Sequence, residues 1–195
     1  QAYYPRKQDP KSGEWKCAGL WGLIDTHGNW LVKPTYDYVN ALDKDYNLVT
    51  KGGKRGFVDK SMKVIVAPIF DELNEMSEDL AAFGEKGKLG FIDKYGKVII
   101  PAKYKSVAPF REGVARVLNA DGWGFIDQSG KTVISHQYKD ASSFSEGAAL
   151  VRTFDDADGQ FFIKHDGSKL FNNKYASARP FKNGKALVQL PIPSK

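Results

Sequence analysis

Short apolar runs alternate with polar turns along the whole chain, and the runs recur with a fixed period. A segment of the form x-Gly-apolar-apolar-Asp occurs four times, and its glycines, Gly22, Gly56, Gly90 and Gly124, stand 34 residues apart. A degenerate fifth copy spans 160–164, displaced by three extra residues. Self-similarity at such a period indicates a repeat architecture. The boundaries give an N-terminal segment and five repeats, at residues 1–20, 21–54, 55–88, 89–122, 123–159 and 160–195.

The sequence pattern predicts three short strands in each repeat, and the third repeat serves as the example. The first strand covers 89–93 and is closed by a turn from Asp93 to Gly96, because Asp accepts backbone amides ahead of it and Gly supplies positive φ. The β-branched second strand covers 97–100, and the third covers 114–117. We therefore predict an all-β fold, a tandem array of five three-stranded antiparallel β-meander units. Because no linker separates them, the units should form one continuous domain, stacked in a solenoid-like or twisted elongated arrangement.

The faces of the predicted strands indicate how the repeats pack. In the third strand, Ala115 and Val117 lie on one face, small then large, which suits a buried layer. The first strand is apolar on both faces, with Phe91 on one and Ile92 on the other, so we expect neighbours to cover both. Gly90 in the same strand should let a neighbouring ring or backbone approach closely.

The two ends of the array fit the same scheme. Residues 14–17 align with the third strand of a repeat, which predicts a lone strand pairing with the first repeat. In the fifth copy Phe161 stands where the other repeats have glycine, and such a broken copy is typical of a capping repeat.

Composition excludes several classes of protein. Of 195 residues, 42% are hydrophobic and 13% aromatic, enough for a packed core and too much for a disordered chain. The apolar runs are too short to cross a bilayer. The single cysteine, Cys17, excludes an internal disulfide framework and a cysteine-based zinc site, and a small buried hydrophobe is the favoured interpretation of it. No signal peptide opens the chain, and Gln1 in place of Met indicates a processed N-terminus.

Carboxylates that recur in every repeat invite a catalytic interpretation. Asp25, Asp59, Asp93 and Asp127 could form the acid and base pair of a glycosidase, which needs two carboxylates a few ångströms apart. Their repetition together with the turn glycine favours turn-forming aspartates instead. We predict no enzymatic activity and no catalytic residue.

Metal and cofactor sites have equally little support in the sequence. His27, His136 and His165 occupy unrelated positions of their repeats, without the spacing of a zinc site. The acidic insertion at 155–159 offers oxygen ligands for calcium, but its spacing is not that of an EF-hand loop. A solvated acidic hairpin tip is the favoured interpretation. We therefore predict neither a metal nor a cofactor.

The repeat motif resembles that of a known family. Residues 21–25 and 123–127 read Trp-Gly-apolar-Ile-Asp, and Gly-Lys-x-Val-Ile and Phe-x-Glu-Gly-x-Ala follow in the better copies. This pattern resembles the bacterial WG repeat family over roughly residues 14 to 190. The second and third copies have Arg55 and Leu89 in place of Trp. The resemblance implies a β-rich repeat array in bacterial envelope, secreted or multidomain proteins, and it supplies no catalytic residue.

Two kinds of residue are candidates for binding. Tyr38 and Tyr95 occupy positions that are polar in the other repeats, so we expect them to be exposed and available for contact, with isolated surface tyrosines as the alternative. The last repeat has seven Lys or Arg residues against a single acidic residue, Asp166. Its basic candidates are Lys169, Lys174, Arg179, Lys182 and Lys185.

The charge pattern suggests classes of partner. A basic end could meet an acidic protein, an anionic envelope surface or nucleic acid, or could simply keep the protein soluble. Nucleic acid ranks last of the partners because no nucleic-acid motif accompanies the charges. We predict a non-enzymatic protein-binding module of the bacterial envelope or secreted space, of inhibitor, immunity or adaptor type. The alternative is a carbohydrate- or peptidoglycan-binding module that uses the exposed tyrosines and Trp30. We expect a periplasmic or secreted location with the signal peptide removed, and a cytoplasmic one stays open.

Overall fold

A computed structural model describes residues 6–8, 15–17, 19–40, 45–155 and 159–191. The regular elements in these residues are β-strands, as the repeat pattern predicts, and the chain groups into two compact units, residues 1–73 and 74–195. No helix in the described part of the chain could cross a membrane.

Nine strands belong to unit 1 and eleven to unit 2 in the described residues. Those of unit 1 are β1 (Arg6–Gln8), β2 (Trp15–Cys17), β3 (Trp21–Ile24), β4 (Trp30–Tyr36), β5 (Tyr38–Val39), β6 (Asn47–Lys51), β7 (Lys54–Val58), β8 (Val64–Phe70) and β9 (Glu72–Leu73). Those of unit 2 are β10 (Leu80–Glu85), β11 (Lys88–Asp93), β12 (Val98–Tyr104), β13 (Ser106–Val107), β14 (Val114–Leu118), β15 (Trp123–Asp127), β16 (Thr132–Ala141), β17 (Ala149–Thr153), β18 (Phe161–Ile163), β19 (Ser177–Ala178) and β20 (Val188–Gln189).

The predicted strands of the third repeat are present as β11, β12 and β14, and the excursion between β12 and β14 contains the additional short strand β13. In the fourth repeat the second strand and this short strand are continuous, as β16. The two ends of β16 have different partners, because its first part pairs with β15 and its last part with β17. A register shift between Tyr138 and Asp140 marks the change.

Hydrogen-bonded sheets straddle the repeat boundaries. In unit 1 the strand order β5-β6-β7-β8 places the third strand of the first repeat, β6, beside the first strand of the second, β7. In unit 2 the order β13-β14-β15-β16-β17-β18 repeats the arrangement twice. All these pairs are antiparallel. Neighbouring repeats therefore share backbone hydrogen bonds as well as side-chain packing.

The repeat glycine allows close backbone approach, as predicted. A Cβ atom on Gly90 would lie 2.4 Å from the carbonyl oxygen of Ile100, and one on Gly124 would lie 2.8 Å from that of Ile134. The register of each first strand against its second strand shifts at this point, so the second strand bulges toward the glycine. The bulged backbone of the second strand fills the space that a side chain at the glycine position would need.

The core confirms the predicted faces in the middle of the array. Phe91 and Ile92 are both buried, so the first strand is covered on both faces, and so are Ala115 and Val117 of the third strand. Phe91 packs edge-on against Phe110 with ring centroids 4.8 Å apart. The ends of the array differ.

At the N-terminal end the first strand is not covered on both faces: Ile24 is 53% exposed. The strand predicted at 14–17 is present as β2, but it pairs with β1, in the register Gln8↔Trp15, and not with β3 in the described structure. The side chain of Cys17 and residues 156–158 of the acidic insertion lie outside the described residues.

Candidate functional site

The recurring aspartates are engaged in turns. The Asp93 carboxylate accepts the backbone N–H groups of Tyr95 and Lys97, both at 2.9 Å. The Ser61 hydroxyl donates to Asp59, and the Ser129 hydroxyl donates to Asp127, each at 2.6 Å.

These hydrogen bonds stabilise the charged carboxylates. The Ser61 hydroxyl holds the pKa of Asp59 below its usual value, and the Ser129 hydroxyl does the same for the pKa of Asp127. A general acid needs a raised pKa, so the direction supports the turn interpretation. No group of three or more metal-ligating side chains occurs in the part of the chain that the structure describes.

A second set of carboxylates, which the sequence analysis missed, connects successive repeats of unit 2. Glu78 accepts the Gly113 N–H at 3.0 Å, and Glu112 accepts the Gly147 N–H at 3.0 Å. Glu146 accepts the Gly184 N–H at 2.8 Å. Each glutamate thus binds the equivalent turn of the following repeat. We call these three residues the glutamate ladder.

The ladder turns have an unusual backbone. Glu112 and Gly113 both have positive φ, 54° and 80°, and Glu146 and Gly147 repeat the arrangement. Two successive residues with positive φ form the turn type that connects tight hairpins. The Glu-Gly pair of the third and fourth repeats was the available signal, but its acceptor role depends on a partner 35 residues away.

The histidines pack as single residues. His165 stacks on Phe144, with ring centroids 4.0 Å apart, and its Nε2 atom lies 3.5 Å from a carboxylate oxygen of Glu112. His136 stacks on Tyr104 at 6.2 Å, and burial lowers its pKa. His27 lies in the exposed first turn, beside Asp25. His27 belongs to unit 1 and the other two histidines to unit 2, where each stacks on a different ring.

Both candidate tyrosines are exposed, as predicted. Tyr38 is 52% exposed in β5, and Tyr95 is 71% exposed in the turn after β11, where Lys94 Nζ lies 5.5 Å from its ring centroid. Tyr38 belongs to unit 1 and Tyr95 to unit 2, so each is a surface residue of a different unit.

The basic candidates are all exposed residues of the last repeat, and together they are here called the basic surface. Lys182 and Lys185 bracket the Asn183-Gly184 turn that precedes β20. Arg179 follows β19, and its backbone N–H donates to Leu187 O. The basic surface consists of Lys169, Lys174, Arg179, Lys182 and Lys185, all of them exposed.

The charged groups of the basic surface differ in their surroundings. Lys169 Nζ lies 4.9 Å from the Phe161 ring centroid. Among the described residues, no carboxylate pairs with Arg179, Lys182 or Lys185. Leu187 and Leu190, also exposed, add apolar surface beside the charges. The arrangement can attract an anionic partner and contact it through apolar side chains.

Exposed apolar side chains occur on β3 and β4 of unit 1. Trp30 stands directly opposite Ile24, and both are more than half exposed, as are Trp21 and Leu31. Trp30 replaces the aliphatic residues Val64 and Val98 of later repeats, a signal visible in the sequence. Two exposed tryptophans could stack on sugar rings or contact a protein.

Comparison with known proteins gives solved structures and one family. No curated protein matches the chain. "KlHsv2 with loop 6CD replaced by a Gly-Ser linker" aligns with a TM-score of 0.44 and 12% identity, over 74% of this chain and 55% of that one. "Kluyveromyces lactis Hsv2 complete loop 6CD" aligns with a TM-score of 0.41 and 11% identity, over 77% and 48%. The chain thus spans about half the length of these proteins. The pattern described as "WG containing repeat" matches four stretches, 21–54, 56–88, 90–122 and 123–153.

Proposed function

Because the chain belongs to the family of WG-containing repeats, we propose that it is a non-enzymatic protein-binding module of the bacterial envelope or secreted space. An inhibitor, an immunity-type protein or an adaptor would each fit this role. Repeat arrays support it physically, since a fixed scaffold presents surface residues that can vary without disturbing the fold. The proposed architecture is five three-stranded units in a solenoid-like or twisted elongated array, which small-angle X-ray scattering can test.

The observation that carries the proposal is the basic surface. Its side chains are exposed, and Arg179, Lys182 and Lys185 have no carboxylate partner among the described residues. Exposed charges of one sign accelerate association with a partner of opposite sign, and the effect fades as salt shortens the screening length to roughly 10 Å or less. We therefore propose an acidic protein as the partner.

The experiment begins with the immobilised chain and a cell-envelope extract, from which bound proteins are identified. Association rates are then measured against salt for the wild type and for Arg179→Glu combined with Lys182→Glu. We expect slower association and a flatter salt dependence for this variant. Lys97→Glu combined with Lys105→Glu is the matched control, because it changes the same charge on exposed residues of the third repeat. Equal effects of both variants would contradict the proposal.

A second candidate function rests on the exposed tryptophans of β3 and β4. Aromatic rings stack on sugars, and Trp21 and Trp30 are both exposed in unit 1. Binding to peptidoglycan, with Tyr38 as a further contact, is the alternative proposal. Sedimentation with insoluble peptidoglycan tests it, with Trp30→Ala expected to lose binding and Phe154→Ala, at an exposed aromatic residue of unit 2, as the control. Binding that survives Trp30→Ala would exclude this use of Trp30.

A further inference from the structure

The same strand pairing occurs at each internal repeat boundary. The third strand of one repeat pairs with the first strand of the next, and one residue of the third strand stands opposite the position of the repeat glycine. The four pairs are Val49↔Gly56, Phe83↔Gly90, Val117↔Gly124 and Val151↔Phe161. The chain thus contains four examples of a single interface.

The corresponding strand of the fifth repeat is β20, and within residues 159–191 one of its edges is unpaired. β20 pairs with β19, in the register Ala178↔Val188, and with no further strand in the described residues. Leu187 O accepts the Arg179 N–H on the β19 side. Successive residues of a strand point their backbone groups to opposite edges, so the N–H and C=O of Val188 face the open edge. Leu187 is 68% exposed, although its equivalent Leu150 is buried.

The complementary strand is β3, the first strand of the first repeat, and within the described residues one of its edges is unpaired. β3 pairs with β4 and with no third strand among the described residues. Ile24 of β3 is more than half exposed, whereas its equivalents Val58, Ile92 and Ile126 are fully buried. The exposed part of Ile24 therefore corresponds to the surface that the preceding repeat covers elsewhere in the chain.

We propose that β20 of one copy pairs with β3 of a second copy, so that β19, β20, β3 and β4 complete a four-stranded sheet like those inside the chain. By analogy with the internal boundaries, Val188 would stand opposite Gly22 of the second copy, and Ala186 opposite its Ile24. The occupant is a second copy because the chain itself carries both halves of an interface that it already uses internally. The contact is head-to-tail, so it adds further copies unless a ring closes.

This inference is independent of the proposed acidic partner. It uses backbone edges and apolar side chains, whereas the proposed function uses the side chains of the basic surface. Substitutions at Arg179 and Lys182 leave the edge of β20 in place, and substitutions at Val188 leave all five basic residues in place. Failure of one proposal can therefore be distinguished from failure of the other.

The test uses two variants of the full chain, each with one blocked end. Val188→Pro removes the N–H at the edge of β20, while Val188→Thr, its control, keeps that N–H. Ile24→Lys places a charge where the second copy would bury Ile24, at a site that is exposed in the single chain. Circular dichroism and thermal melting of both variants are the control for folding, and we expect each to fold like the wild type.

Sedimentation velocity over a range of protein concentrations gives the result. We expect the wild type and Val188→Thr to grow beyond dimers, and each blocked variant alone to lose self-association. An equimolar mixture of the two blocked variants should form dimers and stop there, because each supplies the one end that the other lacks. A wild type that stays monomeric, blocked variants that assemble like the wild type, or a mixture that forms no dimer would each overturn the proposal.

Hydrogen exchange of the wild type provides a measurement without substitutions. Amides of β3 and those around Val188 should gain protection as the protein concentration rises, while amides of β15, already paired on both sides, should not change. Protection of Val188 that is independent of concentration would indicate a partner strand within the chain and would also overturn the proposal.

Discussion

At the scale of single residues, the repeat glycine is the position where adding a side chain should lower the stability of the fold most. We expect Gly90→Val to lower the free energy of unfolding by more than about 2 kcal/mol, because its Cβ atom would lie 2.4 Å from a backbone oxygen that cannot move alone. Urea unfolding gives the value. Ala67→Val is the control, since it adds methyl groups at an exposed strand position. Equal midpoints for the two variants would show that the bulge adapts to a side chain.

The turn aspartates predict a dependence of stability on pH. Their pKa values are lowered in the folded state, so their stabilisation is complete above the unfolded value of about 3.9 and is lost as the pH falls through the folded value. Urea unfolding between about pH 5 and 2 should show a smaller loss of stability for Asp127→Asn than for the wild type. Identical slopes would exclude a contribution from Asp127.

The role of these two residue types could be predicted from the sequence, because each acts within its own repeat. The turn that Asp93 closes spans only four residues, and the close approach at Gly90 comes from the strand that follows directly. The exposure of Ile24 could not be predicted in the same way. Ile24 occupies the same position in its repeat as Val58, which is buried. The two residues differ in exposure because the segments that precede their repeats differ.

At the scale of the elements, the glutamate ladder joins repeats that the strand pairing already connects. Glu112 holds a left-handed backbone, which is unfavourable for a residue with a side chain, and its carboxylate binds the Gly147 N–H. We expect Glu112→Ala to reduce stability by about 1 kcal/mol, through loss of a charge-assisted hydrogen bond at a partly exposed site. Glu112→Gly should cost less, because glycine also removes the backbone strain.

Chemical denaturation of the two variants, beside Glu112→Gln, measures the ladder. The glutamine variant retains an acceptor and should fall between the wild type and Glu112→Ala. If Glu112→Gly is the least stable of the three variants, the backbone strain at Glu112 does not contribute significantly to stability. The sequence pattern places the Glu-Gly turn correctly, but the ladder depends on contacts between one repeat and the next, which spacing along the chain does not specify.

At the scale of the whole molecule, we expect internal repeats to be more stable than the first, because a repeat in a tandem series is stabilised mainly by its neighbours. The fourth repeat has its first strand, β15, paired with strands on both sides, and Ile126 is buried. In the first repeat, β3 pairs with β4 alone among the described strands. The predicted repeats are alike in sequence, yet their local stabilities should differ.

Native-state hydrogen exchange at low protein concentration tests this gradient, because amides with fewer packed neighbours open at lower free energy. The amides of β3 and β4 should exchange faster than the equivalent amides of β15 and β16, once intrinsic rates are corrected for sequence. Gly124→Val provides the internal check: it should accelerate exchange in β15 and β16 while β3 and β4 keep their own rates. Uniform protection across the first and fourth repeats would contradict the gradient and would show that the exposed apolar side chains of β3 and β4 cost the fold little.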